Sequence, residues 1–111
     1  IKAGLIWGIT IAHPTTFMRR DFLIAGNHFY KEDGFSYAED WEFFYNMRKQ
    51  ASFRNMDEVL YHYRRSGGSV TKRMKPNREK IMTSMYERIF TDFGIDFSQN
   101  DILLHKFLAF V

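Results

Sequence analysis

The chain has 111 residues, a formal net charge of +3 and no cysteine. Its length fits one domain with a modest core, and 45% hydrophobic with 26% charged residues excludes an intrinsically disordered composition. The lack of cysteine excludes disulfides, thiolate metal sites and thiol nucleophiles, and no apolar run reaches the roughly 18 residues that a membrane-spanning helix needs.

The N-terminus begins with Ile1 and shows no charged region that leads into an apolar stretch, so the sequence predicts no signal peptide. Because the first residue is not Met, we expect the chain to be a piece of a longer protein. The absence of cysteine fits a reducing compartment, and we predict a cytoplasmic location.

Three elements are predicted in the N-terminal third. Residues 6–12 (IWGITIA) mix β-branched residues with a tryptophan and are too short for a typical helix, which predicts a strand. Residues 18–25 are compatible with a helix, and Gly26 with Asn27 provides a C-terminal stop. Residues 31–34 (KEDG) are typical of a turn.

The middle of the chain is predicted to contain a helix and a strand. Ser36 and Glu39 have the spacing of a capping box, and the aromatic residues that follow predict a helix to about residue 50. Alternating side chains over residues 53–65 predict a strand or one arm of a hairpin. A pair of glycines shortly after this range ends the element.

Two amphipathic helices are predicted at the C-terminal end. Pro76 suits the first turn of a helix, and apolar residues then repeat at three and four residues until Gly94 ends the pattern. Ser98, with Asp101 three residues later, marks the start of the second helix. The second helix is expected to bury Leu104, Phe107, Leu108 and Val111.

Glu39 and Asp40 form an acid pair in the segment YAEDWEFFYNM, residues 37–47. A carboxylate in the first turn of a helix faces unpaired backbone N–H groups and the positive end of the helix dipole, and both favour its ionised form. An ionised and positioned carboxylate can act as a general base, but it can equally serve only to cap the helix. From the residues alone, both interpretations stay open.

A basic loop is the second candidate site. The run YRRSGGSVTKR combines paired glycines with Arg64 and Arg65, whose guanidinium groups suit a phosphate, and with the hydroxyl groups of Ser69 and Thr71. The spacing is not that of a P-loop, and a basic solvated turn explains the same composition.

The histidines show no metal-ligand spacing, and no Asp-x-Asp completes a ligand set, so no metal site is predicted within the chain. His62 and His105 are interpreted as structural residues. The apolar stripe over residues 81–93 is assigned to core packing.

Three segments occur in an order that resembles a known family. HPTTFMRR, YAEDWEFFYNM and VLYHYRRSGGSVT, at these separations, are similar to the C-terminal part of the catalytic domain of family 2 glycosyltransferases with the GT-A fold. This resemblance implies an α/β fold class that is helix-rich with a few short strands, or α+β as an isolated piece. Residues 1–75 would form an acceptor-side portion of the catalytic domain, and residues 76–111 a helical extension packed on it.

The resemblance implies roles for residues around the acid pair. Asp40 matches the general base that deprotonates the acceptor hydroxyl, with inversion at the anomeric carbon of the sugar. Glu39 would orient Asp40 or bind an acceptor hydroxyl. Trp41 or Tyr37 would stack on an apolar face of a sugar.

The resemblance also implies that the basic loop lies over the nucleotide diphosphate of the donor. Arg64 and Arg65 would offset charge on the leaving phosphate, and Ser69 and Thr71 would lie in the same loop. Ser66 departs from the pattern, since relatives often have His at this position.

The nucleotide-binding half of such an enzyme, with its Asp-x-Asp motif, is not within these 111 residues. The resemblance therefore implies a divalent cation, magnesium or manganese, bound mainly by residues outside this segment, and no transfer by the chain alone. The implied partners are a nucleotide-sugar donor and a glycan or lipid-linked acceptor, without nucleic acid. The expected location is the cytoplasm, including the inner face of the membrane.

Two alternatives do not involve an enzyme. A pI of about 9.3 and aromatics interleaved with Arg and Lys are compatible with a nucleic-acid-binding module, which predicts steeply salt-dependent binding to single strands. The helix after Pro76 can instead dock on a partner or a membrane surface, which predicts that Ile81, Met85 and Phe93 are exposed.

Overall fold

The computed structural model describes residues 1–30, 38–64 and 75–109. Two short 3₁₀ helices, Ala3–Ile6 and His13–Thr15, are followed by α1 (Arg20–Ala25), α2 (Glu39–Met47), α3 (Lys75–Asp92) and α4 (Gln99–Ala109). These described ranges contain no β-strand. The predicted α/β fold class is therefore wrong for this chain, which is helical wherever it has regular structure in those ranges.

The two predicted strands have the composition of strands but lack strand partners in the described ranges. Residues 7–12 are irregular, and so are residues 52–64. Val59 is 85% exposed and Leu60 is 65% exposed, and this apolar stretch packs against no sheet among the described residues. A strand is stabilised by hydrogen bonds to neighbouring strands, and alternation along one segment does not provide such a neighbour.

Helix α2 supplies the centre of the core. It buries apolar residues around most of its circumference: Trp41, Phe43, Phe44, Tyr45 and Met47. A helix that is apolar on most sides must be covered by several other elements. Here α3 covers one side and the first 3₁₀ helix, through the fully buried Leu5, covers another.

Helix α3 packs through the stripe that the sequence predicted. Met85, Tyr86 and Ile89 are fully buried, and the ring of Tyr86 meets the ring of Trp41 edge-on at 5.1 Å. The burial of Met85 argues against docking of this stripe on a partner, although Phe93 at the end of the helix is half exposed. The predicted core role of the stripe is confirmed for its central residues.

A polar contact joins α3 to α2 at the edge of the core. Nη1 of Arg88 donates to Oε1 of the buried Glu42 at 2.8 Å, and Nη2 donates to the side-chain oxygen of Asn46. Pairing with the guanidinium offsets the cost of burying the Glu42 carboxylate.

Three side chains from different helices bind backbone carbonyls of the N-terminal segment. Trp41 Nε1 donates to the carbonyl oxygen of Leu5 at 2.7 Å, and the hydroxyl of Tyr86 donates to that of Trp7 at 2.7 Å. His105 Nε2 lies 3.1 Å from the carbonyl oxygen of Ile6, and its ring stacks on Trp7. The structural role predicted for His105 is confirmed, and the N-terminal segment is held as part of the core.

The ends of the helices agree with the sequence in part. Helix α1 ends at Gly26, as predicted, and Asn27 adopts φ 51° directly after it. Helix α2 has Ala38 as its N-cap, so Glu39 is the first residue of the helix rather than the third residue of a capping box. Ser36 and the predicted turn at residues 31–34 lie outside the described residues.

Helix α4 begins as predicted but buries a different face. Ile102 and His105 are buried, whereas Leu104, Phe107 and Leu108 are more than half exposed; Val111 lies outside the described residues. Since the helix is apolar on both sides, its own sequence does not select the side that packs. Contact with α3 makes that selection.

The capping box at the start of α4 gives a first testable prediction. The carboxylate of Asp101 accepts hydrogen bonds from the backbone N–H of Ser98 at 2.7 Å and from its hydroxyl at 2.6 Å. These bonds lower the pKa of Asp101. We expect Ser98→Ala to raise that pKa, read by NMR titration of the carboxyl carbon, and to destabilise the fold through loss of the cap.

The sign of the pH dependence follows from the lowered pKa. Stability from the Ser98–Asp101 contact is present above the pKa of Asp101 in the unfolded chain and is lost as the pH falls through its value in the folded chain. The difference in stability between wild type and Ser98→Ala should therefore shrink in acid. A difference that grows in acid would contradict the capping contact.

Candidate functional site

A cleft of about 480 Å³ lies at the N-terminal end of α2. Most of its wall comes from the chain that precedes α1. The lining residues are Ile9, Thr10, Ile11, Ala12, His13, Pro14, Asp40 and Tyr63. The wall is largely apolar, and Asp40 is its acidic group.

Asp40 is placed in this cleft by the start of α2. It is the second residue of the helix and is half buried, and its Oδ1 accepts the backbone N–H of Trp41 at 2.8 Å. Glu39 precedes it and is exposed. Because the first N–H groups of a helix lack intrahelical partners, the start of α2 supplies the donor that holds the Asp40 side chain in place.

A histidine and a tyrosine meet beside the acid pair. The hydroxyl of Tyr30 lies 2.6 Å from Nε2 of His13, which is hydrogen-bond distance. The ring of Tyr30 stacks on Phe43 at 4.4 Å, and the ring of His13 packs edge-on against Phe44 at 6.2 Å. Both rings are therefore oriented by the aromatic side chains of α2.

The electrostatics connect Tyr30 to the acid pair. Burial raises the pKa of the Tyr30 hydroxyl, and the negative charges of Asp40 and Glu39 raise it further. A negative charge on the phenol would be disfavoured beside two carboxylates, so the hydroxyl keeps its proton at neutral pH.

The other predicted site residues are distributed differently. Trp41 is 3% exposed and faces the core, which does not agree with its predicted stacking on a sugar. Arg64 is exposed and directly follows Tyr63 of the cleft wall. Four predicted substrate contacts lie outside the described residues: Tyr37, Arg65, Ser69 and Thr71.

The described residues contain neither a cluster of metal ligands nor a membrane-spanning helix. Within residues 1–30, 38–64 and 75–109, no three His, Asp or Glu side chains come together as a group that could hold a metal ion. The resemblance places the ligands of its divalent cation mainly outside this segment, so that cation stays a prediction, and no chemical step is assigned to a metal here. No helix in the described part of the chain has the length and apolar character needed to cross a membrane.

Sequence reasoning missed three residues at this site. His13 belongs to the segment HPTTFMRR, which signalled the family resemblance but gave the imidazole no role. Tyr63 belongs to the segment VLYHYRRSGGSVT, which likewise carried the resemblance without a role in the cleft for this tyrosine, and Tyr30 stood in no pattern at all. The contact of Tyr30 with the site depends on long-range folding, and no local sequence signal could have found it.

Comparison of the chain with protein-family models, with curated proteins and with solved structures finds no match.

Proposed function

We propose that the chain is the acceptor-side segment of an inverting glycosyltransferase, which transfers a sugar from a nucleotide-diphosphate donor to an acceptor hydroxyl. One observation carries the proposal: the half-buried Asp40 carboxylate lines a cleft at the N-terminal end of α2. A base in a reaction of this class needs an ionised oxygen that is fixed in position and open to a ligand.

The proposed reaction is a single displacement in which Asp40 takes the proton. The acceptor O–H bond breaks as its proton passes to the Asp40 carboxylate, and the oxygen forms a bond to the anomeric carbon. The bond from that carbon to the nucleotide diphosphate breaks on the opposite side, and the diphosphate leaves with the electron pair. Attack opposite the leaving group inverts the anomeric configuration.

The cleft wall suits a sugar or a similar polyol. Tyr63 and the apolar side chains of residues 9–14 offer a surface for the C–H face of a pyranose, while Asp40 offers a hydrogen-bond acceptor. In the proposal, Glu39 binds a further acceptor hydroxyl at the exposed rim, where its side chain can reach solvent.

The donor side of the reaction depends on residues that the structure describes only in part. We propose that Arg64 and Arg65, with Ser69 and Thr71, offset the charge of the leaving diphosphate. Magnesium or manganese, when bound by residues outside this segment, would supply further positive charge there. The transfer is proposed for the cytoplasm, and for the inner face of the membrane where the acceptor is lipid-linked.

The aromatic residues are divided between the core and the surface. Single-strand binding depends on exposed aromatic rings onto which bases stack. The aromatic residues of α2 and Tyr86 of α3 are buried in the core, whereas Phe17, Tyr63 and Phe107 are exposed, so the nucleic-acid alternative stays a prediction.

Product analysis tests the proposed function. We expect a longer polypeptide that carries these 111 residues to release nucleoside diphosphate from one of a panel of nucleotide-sugars when a glycan acceptor is present. The new glycoside should have the anomeric configuration opposite to that of the donor, read by NMR of the anomeric proton. A product of retained configuration would contradict the displacement at Asp40, and the isolated 111-residue chain serves as the inactive control.

A further inference from the structure

We propose that Tyr30 and His13 form a positioning pair that presents one imidazole N–H to the attacking oxygen beside Asp40, so that the cleft selects a neutral hydroxyl as its acceptor. This inference rests on the proposed function. It assigns positioning to two residues outside the predicted site and gives a structural reason for the hydroxyl acceptor of the proposed function.

The contact between Tyr30 and His13 sets the position of the imidazole proton. In the proposed arrangement, the phenol donates its O–H to Nε2 across 2.6 Å. A neutral imidazole has one N–H and one bare nitrogen, so the proton must then be on Nδ1. No hydrogen bond joins Nδ1 to another residue in the described ranges, which leaves this N–H for a ligand.

The surroundings hold both rings in place. The stacking of Tyr30 on Phe43 fixes the direction of the hydroxyl, and the edge contact with Phe44 limits rotation of the His13 ring. The raised pKa of Tyr30 supports the same arrangement, because a phenol that keeps its proton can remain the donor. A donor that is positioned before the ligand arrives needs little reorganisation during the reaction.

His13 and Asp40 together match the hydrogen-bonding capacity of a hydroxyl group. Both residues line the cleft. In the proposal, His13 contributes the donor and Asp40 the acceptor. A hydroxyl has one proton and two lone pairs. The proton goes to Asp40, one lone pair accepts the N–H of His13, and the second lone pair attacks the anomeric carbon.

His13 and Asp40 together disfavour other acceptor groups. A carboxylate or phosphate would be repelled by Asp40 and by the neighbouring Glu39. A protonated amine would bind Asp40 but has no lone pair to accept the N–H of His13, so it would form one hydrogen bond fewer with these two residues than a hydroxyl does. A neutral hydroxyl satisfies both residues at once.

The first experiment measures the tautomer of His13 in the 111-residue chain by long-range ¹H–¹⁵N NMR. We expect Nε2 of the wild type to resonate as a bare nitrogen and Nδ1 as a protonated one. Tyr30→Phe removes the donor and should move the proton to Nε2 in a substantial fraction of molecules. Protonation of Nε2 in the wild type, or no change of tautomer in the variant, would overturn the proposed positioning pair of Tyr30 and His13.

The second experiment uses the longer enzyme with a glycan acceptor. We expect Tyr30→Phe to raise the KM for the acceptor about 2- to 12-fold, as for loss of one neutral hydrogen bond, with little change in the KM for the donor. Tyr61→Phe makes the same chemical change at a tyrosine outside the cleft wall and should leave both values unchanged.

The two experiments separate the two hypotheses. If the wild-type enzyme transfers sugar but Tyr30→Phe behaves like Tyr61→Phe, the positioning pair is overturned and the proposed function stands. If the wild-type enzyme releases no nucleoside diphosphate, the proposed function is overturned together with the acceptor assignment, whereas the NMR measurement still decides the tautomer of His13.

Discussion

Under the proposed function, Asp40→Asn in a longer polypeptide that carries these residues is expected to reduce the turnover of sugar transfer by about 10²- to 10⁴-fold, the range typical of a lost general base. The amide cannot take the proton of the acceptor hydroxyl at neutral pH. Binding of the nucleotide-sugar should be nearly unchanged, because Asp40 lines the proposed acceptor cleft. Steady-state kinetics and calorimetric titration with the donor measure the two effects.

This substitution separates a catalytic role from a structural one. Asn keeps a side-chain oxygen that can accept the backbone N–H of Trp41, as Oδ1 of Asp40 does at 2.8 Å. We therefore expect the thermal unfolding midpoint to stay close to that of the wild type.

Asp57→Asn provides a matched control for the loss of one carboxylate. Asp57 is exposed and does not line the cleft, so the turnover of the Asp57→Asn variant should equal that of the wild type. Undiminished turnover in Asp40→Asn would refute the base assignment. Equal losses in the two variants would point to an effect of net charge.

Trp41→Ala is expected to lower the free energy of unfolding by about 3–5 kcal/mol, the range for removal of a buried Trp or Phe ring. The indole is 3% exposed, meets Tyr86 edge-on and donates to the carbonyl oxygen of Leu5. Its removal leaves a cavity between α2, α3 and the first 3₁₀ helix. Urea denaturation followed by far-UV circular dichroism measures the change.

Two further variants divide this effect into its parts. Trp41→Phe keeps an aromatic ring but removes the N–H donor, which leaves the carbonyl of Leu5 without this partner and should cost about 1–3 kcal/mol. Phe17→Ala removes a ring that is fully exposed and should change stability by no more than about 0.5 kcal/mol. A loss in Trp41→Ala no larger than that in Phe17→Ala would contradict the central place of the indole in the core.

The elements that sequence analysis located well are those with local signals. Pro76, Gly94 and the Ser98–Asp101 capping box mark the limits of α3 and α4. In each case the residues that decide where the helix begins or ends lie within one or two turns of that point. Local backbone geometry and local hydrogen bonds are therefore sufficient to predict them.

The predictions that failed depend on partners far along the chain. Residues 53–64 have the composition of a strand, but no neighbouring strand exists for them in the described residues. Helix α4 is apolar on two sides, and packing against α3 buries Ile102 and His105 while Leu104 stays exposed. The aromatic pattern of α2 predicted its helix. Trp41 faces the core, however, because Leu5 and Tyr86 lie on that side of the helix.

The candidate site shows the same division. The sequence by itself determined that an acid pair stands at the start of an aromatic helix, since helix periodicity and dipole act over a few residues. Only the tertiary structure decided that Asp40 shares a cleft with His13 and Tyr63, and that Tyr30 reaches His13 across 17 positions of the chain. Contacts between distant residues depend on how all the helices pack, and no short stretch of sequence contains that information.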